Sequence, residues 1–182
     1  MRPIAFTLIE LLIVIAIAAI IAGALIPLFS TSKQDAKITK FVTLVDTLRI
    51  ACEQYHFDTG QYADTIDLSS NSKGREGWDG PYINHPLGSG DNPLGSVGYL
   101  LTEFSGPGGR GFDLNDDGID DRNLWCCGDA YCFTVDSEAT ARKIDDAIDK
   151  GMGGDQFWKV RGRVEFDNPT SVYIYLIGGM SS

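Results

Sequence analysis

The segment Asp113-Leu114-Asn115-Asp116-Asp117-Gly118-Ile119-Asp120-Asp121 concentrates the side chains of this chain best suited to chemistry. Oxygen-bearing side chains at alternate positions, closed by a glycine for a tight turn, are how a short loop wraps a hard cation. Asp113, Asn115 and Asp117 would ligate by side chain, Ile119 by its carbonyl, and Asp121 directly or through water. Leu124 stands at position twelve, where an EF-hand carries a bidentate glutamate, so this is not an EF-hand. Five carboxylates within nine residues repel one another unless something neutralises them. The expected ligand is Ca2+, ahead of a merely solvated acidic turn.

The cysteines are Cys52, Cys126, Cys127 and Cys132. They lack the pair-and-pair spacing of a zinc site, and no histidine stands near the cluster of three. Disulfides in an oxidising compartment are the expected chemistry. A bridge between the neighbours Cys126 and Cys127 would be strained, so Cys132 is expected to join one of that doublet and Cys52 the other. His56 and His85 are the only histidines. No nucleophile in a catalytic setting, phosphate loop or paired-carboxylate motif accompanies them, and Gly106-Pro107-Gly108-Gly109 is a turn-rich loop, not a dinucleotide fingerprint. No catalytic residue is expected.

The net charge of −10 lies entirely after Ser30, because Arg2 and Glu10 cancel. So acidic a surface repels phosphate backbones, and a nucleic-acid partner is not expected.

The apolar residues are distributed unevenly. From Leu11 to Ile26 there is no polar side chain, and the stretch from Phe6 to Phe29 is long enough to cross a bilayer as a helix of roughly 20 residues. Three readings compete for it: a plain membrane anchor, a secretory signal cut near Ala24, and a signal cut ahead of the apolar stretch so that the stretch is kept. Glu10 separates them. A carboxylate near the start of a membrane helix costs about 2.5–3.5 kcal/mol and is rarely there without a partner. In a bundle of such helices it can meet the new α-amino group of Phe6 on a neighbouring copy, which neutralises both charges and fixes the stagger.

The run Phe6-Thr7-Leu8-Ile9-Glu10-Leu11-Leu12-Ile13-Val14-Ile15-Ala16-Ile17 closely resembles the start of type IV pilins and type II secretion pseudopilins. The resemblance implies that a prepilin peptidase cuts between Ala5 and Phe6 and methylates the new amine. It implies that Glu10 serves assembly and that Pro27 kinks or loosens the helix. Ala5 stands where the family usually has glycine, and Lys33, Lys37 and Lys40 beyond the apolar run oppose the positive-inside rule for an exported C-terminal part. Tyr55-His56-Phe57-Asp58-Thr59-Gly60-Gln61-Tyr62 and Trp78-Asp79-Gly80-Pro81-Tyr82 are similar to segments of the major pseudopilin, a calcium-binding branch. The implied function is a filament subunit, a pseudopilin driving protein export ahead of a type IV pilus pilin for adhesion, motility or DNA uptake. The rival outside the family is a secreted calcium-binding protein released near Ala24. The implied partners are copies of itself, the prepilin peptidase and an inner-membrane assembly platform. The implied location is the inner membrane, in a single pass, with the remainder in the periplasm or outside the cell.

The elements expected to position these residues give an α+β, pilin-like fold: a long N-terminal helix packed on a small antiparallel sheet, with loop-rich insertions and one extra helix. The expected divisions are 1–5, a cleaved leader; 6–29, a transmembrane or filament-core helix; 30–58, its amphipathic continuation; and 59–182, a globular domain. Ile38, Phe41, Val42, Val45, Leu48, Cys52 and Tyr55 recur every three or four residues as one apolar stripe. A second helix, capped by Asp136 or Ser137, would present Ala141, Ile144, Ala147 and Ile148. Trp158 to Phe166 alternates as a strand, with Trp158, Val160, Val164 and Phe166 on one face and Lys159, Arg161, Arg163 and Glu165 on the other, and Val172 to Ile177 returns as a second strand.

Overall fold

The first helix, α1 (Leu8–Thr59), starts where its sequence supplies a reciprocal cap. Thr7 Oγ1 accepts the Glu10 N–H at 3.3 Å, and the Glu10 carboxylate accepts the Thr7 N–H at 2.9 Å. Two N–H groups that the helix itself cannot satisfy are thereby paired, an arrangement in which the capping residue alone is worth about 1 kcal/mol. The helix ends where Gly60 takes a left-handed φ of 67° and its N–H bonds the His56 carbonyl. This is the run expected from the sequence, closed two residues beyond Phe57.

The structure, a computed structural model, describes residues 7–88, 90–102, 112–115, 117–118, 127–150, 152, 154, 159–166 and 170–179, with the side chains of 23–32, 127 and 179 set aside. The chain forms two compact units, 1–37 and 38–182. In the first, the described side chains from Leu8 to Ile21 are exposed, with Leu8 78% accessible and Ile20 73%. Among the described residues no helix is long and apolar enough to cross a membrane. Phe6 and the side chain of Pro27 lie outside them.

The second unit is α+β. Strands β1 (Tyr99–Leu101), β2 (Cys127–Thr134), β3 (Val164–Phe166) and β4 (Ser171–Gly179) form one antiparallel sheet in the order β1-β2-β4-β3. Helix α2 (Glu138–Ile148) lies between β2 and β3 in sequence. The stripe of α1 meets the sheet as its spacing requires: Phe41, Val45, Leu48, Ala51, Cys52 and Tyr55 are buried, with Val42 at the margin. Tyr131 and Phe133, two apart on β2 and hence on one face, receive the Phe41 ring at 6.3 and 4.6 Å. Gly98 is buried because the Tyr131 hydroxyl occupies the place a Cβ would need.

Three expectations are corrected. Only Val164–Phe166 of the alternating 158–166 run pairs as a strand; Val160 is 39% exposed, and Glu165, on the charged face of the alternation, is buried. Trp158 falls outside the described residues. On α2, Ala141 and Ile144 are buried as expected, but Ala147 is exposed and Asp145 takes a buried place. Spacing alone does not separate these: positions 145 and 147 flank the stripe on either side, and the packing partner chooses. Ser137 is the cap, its side chain accepting the Thr140 N–H.

The segment 60–98 is fastened to the end of α1 by polar groups. Asp67, 2% exposed, accepts from Lys73 Nζ at 3.1 Å and from the Tyr55 hydroxyl at 3.4 Å. Its carbonyl accepts Trp78 Nε1 at 2.9 Å. The Tyr82 hydroxyl donates to Asp58 at 2.7 Å, and its ring stands edge-on to both Tyr55 and Trp78. Gly80 sits so close to the Trp78 and Tyr82 rings that a Cβ would come within 2.8 Å of each.

Truncating Phe41 to alanine removes a fully buried ring shared with two others. Phe41→Ala should lower the unfolding free energy by about 3–5 kcal/mol in denaturant titrations of the intact chain. Phe57→Ala, at a side chain 89% exposed, should change it by less than about 0.5 kcal/mol.

Candidate functional site

Two groups of sequence-predicted residues are open to inspection: the acidic turn and the head of α1. In the turn, Asp113 is 1% exposed, and its carboxylate accepts the N–H groups of Asp117 at 3.2 Å and Gly118 at 2.9 Å. Asn115 Oδ1 also accepts the Asp117 N–H, at 3.1 Å, while Asn115 Nδ2 donates to Asp117 Oδ2. Gly118, at φ 84°, makes the reversal that only glycine adopts without strain. Asp113, Asn115 and Asp117 are therefore drawn onto one turn, as a calcium loop requires. Arg161 is the residue that sequence reasoning missed. Its Nε lies 3.5 Å from Asp113 Oδ2, so a guanidinium already neutralises the most buried carboxylate. Nothing in the spacing announces it, because 48 residues separate the pair.

The donor set is oxygen-only and suits a hard cation in kind, but it is incomplete here. Ile119 and Asp121 lie outside the described residues. Among those described, no three His, Cys, Asp or Glu side chains converge as metal ligands do.

At the head of α1, both Thr7 bonds reach one oxygen of Glu10: the N–H and the hydroxyl each donate to Oε2 at 2.9 Å. Oε1 has no hydrogen-bond partner among the described residues. Ala5 and Phe6, the expected processing pair, lie outside them.

The expected disulfides are not formed by the described cysteines: Cys52 and Cys132 are both buried free thiols. Cys127 and Cys132 are on one strand, five residues apart, which at about 3.3 Å per residue is roughly 16 Å. A disulfide needs Cα atoms within about 7 Å, so that pairing is excluded by the strand. Cys126 lies outside the described residues. Cys52 instead shares a hydrogen bond with Asp129, and burial together with that carboxylate pushes its thiol well above the ordinary range. Such a thiol is protonated and inert.

Asp129 was not singled out by its sequence setting, yet it is wholly buried. Its Oδ2 accepts the Ala63 N–H at 3.0 Å, and its Oδ1 has no hydrogen-bond partner among the described residues. Burial pushes its carboxyl up to about 7, aided by Asp64 and Asp67. Asp145 is similar: wholly buried, both oxygens without a hydrogen-bond partner among the described residues, and pushed up to about 7 by burial and then by Asp149 and Asp146. His56 stacks on Tyr62 at 4.7 Å, and exposed His85 lies 3.6 Å from Asp91.

No family model matches the chain, and no curated protein and no solved structure matches it. The geometry therefore carries the functional argument alone.

The two buried carboxyls give the fold a pH dependence of definite sign. Each holds its proton to about pH 7 when folded, against 3.8 for a solvated aspartate. Between those values the folded chain binds more protons than the unfolded chain, so stability falls as pH rises from about 4 to about 7. Asp129→Asn keeps an acceptor for the Ala63 N–H and removes one titration. Denaturant melts across that range should show a smaller slope than wild type, the remainder coming from Asp145 and from Asp149, which burial also raises; an unchanged slope would place the ionisation elsewhere.

Proposed function

We propose that this chain is a structural subunit of a helical filament, of the type IV pilin and type II secretion pseudopilin kind, assembled through α1. The observation that carries the reading is Glu10: a carboxylate in the first turn of a helix whose next residues, Leu11 to Ile26, are wholly apolar. The exposed side chains from Leu8 to Ile21 support it. A continuous apolar surface of that extent calls for an apolar partner, either lipid or the same segment of other copies. Cutting between Ala5 and Phe6 would create an ammonium group next to that surface. Glu10 Oε1 is the acceptor left for the ammonium of a neighbouring copy, because Oε2 is used by Thr7.

On this reading the subunit is held in the inner membrane by its apolar helix until the assembly platform extracts it. The Trp78–Tyr82 clasp on the end of α1 favours the pseudopilin branch, because it gives the Trp-Asp-Gly-Pro-Tyr sequence a packing role at the junction of helix and loop. The acidic turn would then be a calcium site that stabilises the exported domain, with Asp113, Asn115 and Asp117 among its ligands. Arg161 would be its competitor, leaving Asp113 when the cation enters.

N-terminal sequencing of the mature protein should begin at Phe6, methylated; a start at Leu25 would mean a secreted protein and remove the filament reading. Glu10→Leu should leave membrane insertion intact and cut filament yield by about tenfold or more, since it leaves the neighbour's ammonium unpaired in an apolar core. Calcium should raise the melting temperature of the wild type, and Arg161→Met should enlarge that shift. Titration calorimetry showing no calcium uptake by either form would reduce the acidic turn to a self-contained Asp–Arg structure.

A further inference from the structure

The most exposed large apolar side chain of the second unit is Phe57, 89% accessible in the last turns of α1. It borders a cleft of about 590 Å³ whose other walls include Glu53, Asp58, Asp79, Pro81 and Tyr82. The lining carries three carboxylates and no basic residue. Each keeps bonding capacity: Glu53 gives one oxygen to Arg49 at 2.6 Å, Asp58 gives one to the Tyr82 hydroxyl, and the Asp79 side chain is exposed. Rings beside carboxylates are suited to a lysine, whose hydrocarbon stem lies on apolar surface while its ammonium meets ring faces and anions.

The same helix carries the complement. Lys33, Lys37 and Lys40 follow one another at spacings of four and three, with Asp35 as the only acid among them, in a chain of net charge −10. All three are exposed, and among the described residues no ion pair holds them. From Lys40 to Glu53 is 13 residues, about 20 Å along a helix at roughly 1.5 Å per residue. One side chain cannot bridge that distance within its own helix, so the two patches can meet only between copies.

We propose that the cleft around Phe57 receives Lys40, with Lys37 at its rim, from a second copy of this chain. The contact is heterologous, a cleft on one copy and a basic segment on the next, and so it propagates instead of closing a dimer. It sets an axial displacement of about 20–25 Å between the parallel helices it joins. It also gives Lys37 and Lys40 a task that membrane topology does not. The proposal rests on the filament reading above.

Charge exchange in the intact chain tests it. Lys40→Glu and Asp79→Lys should each reduce recovered filament by about tenfold, since like charges are then placed together. The chain carrying both changes should return to within about twofold of wild type. Both positions are exposed, so circular dichroism melts of the variants should coincide with wild type. A photoreactive benzoylphenylalanine at position 57 should cross-link in filaments to a peptide holding Lys37 and Lys40, identified by mass spectrometry. Wild-type filaments with unaffected single variants, or a double variant no better than the singles, overturn the docking alone. Cross-links confined to other segments do the same. A wild-type chain that forms no polymer overturns the docking and the filament reading together.

Discussion

The inner face of α1 from Ile38 to Tyr55 is the surface on which everything else in the second unit is arranged. It supplies Phe41, Val45, Leu48, Ala51, Cys52 and Tyr55 to a core whose other wall is one face of a sheet that has four strands among the described residues. Two of those strands, β1 and β3, have three residues each and cannot hold themselves in place. A short antiparallel ribbon is marginal in water until an apolar face is covered. The helix covers it, with the Phe41 ring seated on Tyr131 and Phe133. The long loop from Gly60 to Gly98 then hangs on the same helix through Tyr55, Asp58 and the residues they hold.

That dependence explains why polar groups are buried where they are. Asp67 is tied by Lys73, Tyr55 and a neighbouring N–H, so its burial is compensated. Among the described residues, Asp129 has one backbone donor, one thiol and an oxygen with no hydrogen-bond partner. An ionised carboxylate in that setting is costly, and the protonated acid is the form that the surroundings favour. The cysteine opposite it belongs to the same account. Cys52 is the weak donor that packs against that acid, and a covalent partner would have to displace Asp129 from its side.

Regular spacing was the legible part of this sequence. The stripe of α1, its end at Asp58-Thr59-Gly60, the start of α2 at Asp136 or Ser137 and the strand through Val172 to Ile177 all follow from a period or a terminator. What escaped depends on chains meeting at a distance. Spacing could not rank Asp145 against Ala147, because each borders the α2 stripe and the sheet decides which is covered. It could not find Arg161 beside Asp113, nor the approach of β2 that sets Asp129 against Cys52. The disulfide expectation rests on the strain of a Cys126–Cys127 bridge and leaves either cysteine of the doublet for Cys132; the extended strand that carries Cys127 and Cys132 apart is not visible in the spacing. In the acidic turn the local part, Asp113 to Gly118, was readable, and its counter-charge was not.

Glu10 shows how one side chain can serve a local and an intermolecular need at once. On the filament reading it must lie in an apolar interior, where a carboxylate with no partner is strongly disfavoured. The capping box reduces that difficulty before any neighbour arrives, since the Thr7 N–H and hydroxyl both donate to Oε2. The bond also orients the carboxylate toward the start of the helix, the end at which a newly freed amine would stand. Threonine at position 7 is then more than a filler between Phe6 and Leu8. It starts the helix, lowers the cost of holding the charge until assembly, and leaves Oε1 for the partner. A hydrophobic residue at position 7 would keep the apolar surface and the backbone N–H bond to Oε2, but lose the hydroxyl's bond to Oε2 and the acceptor for the Glu10 N–H.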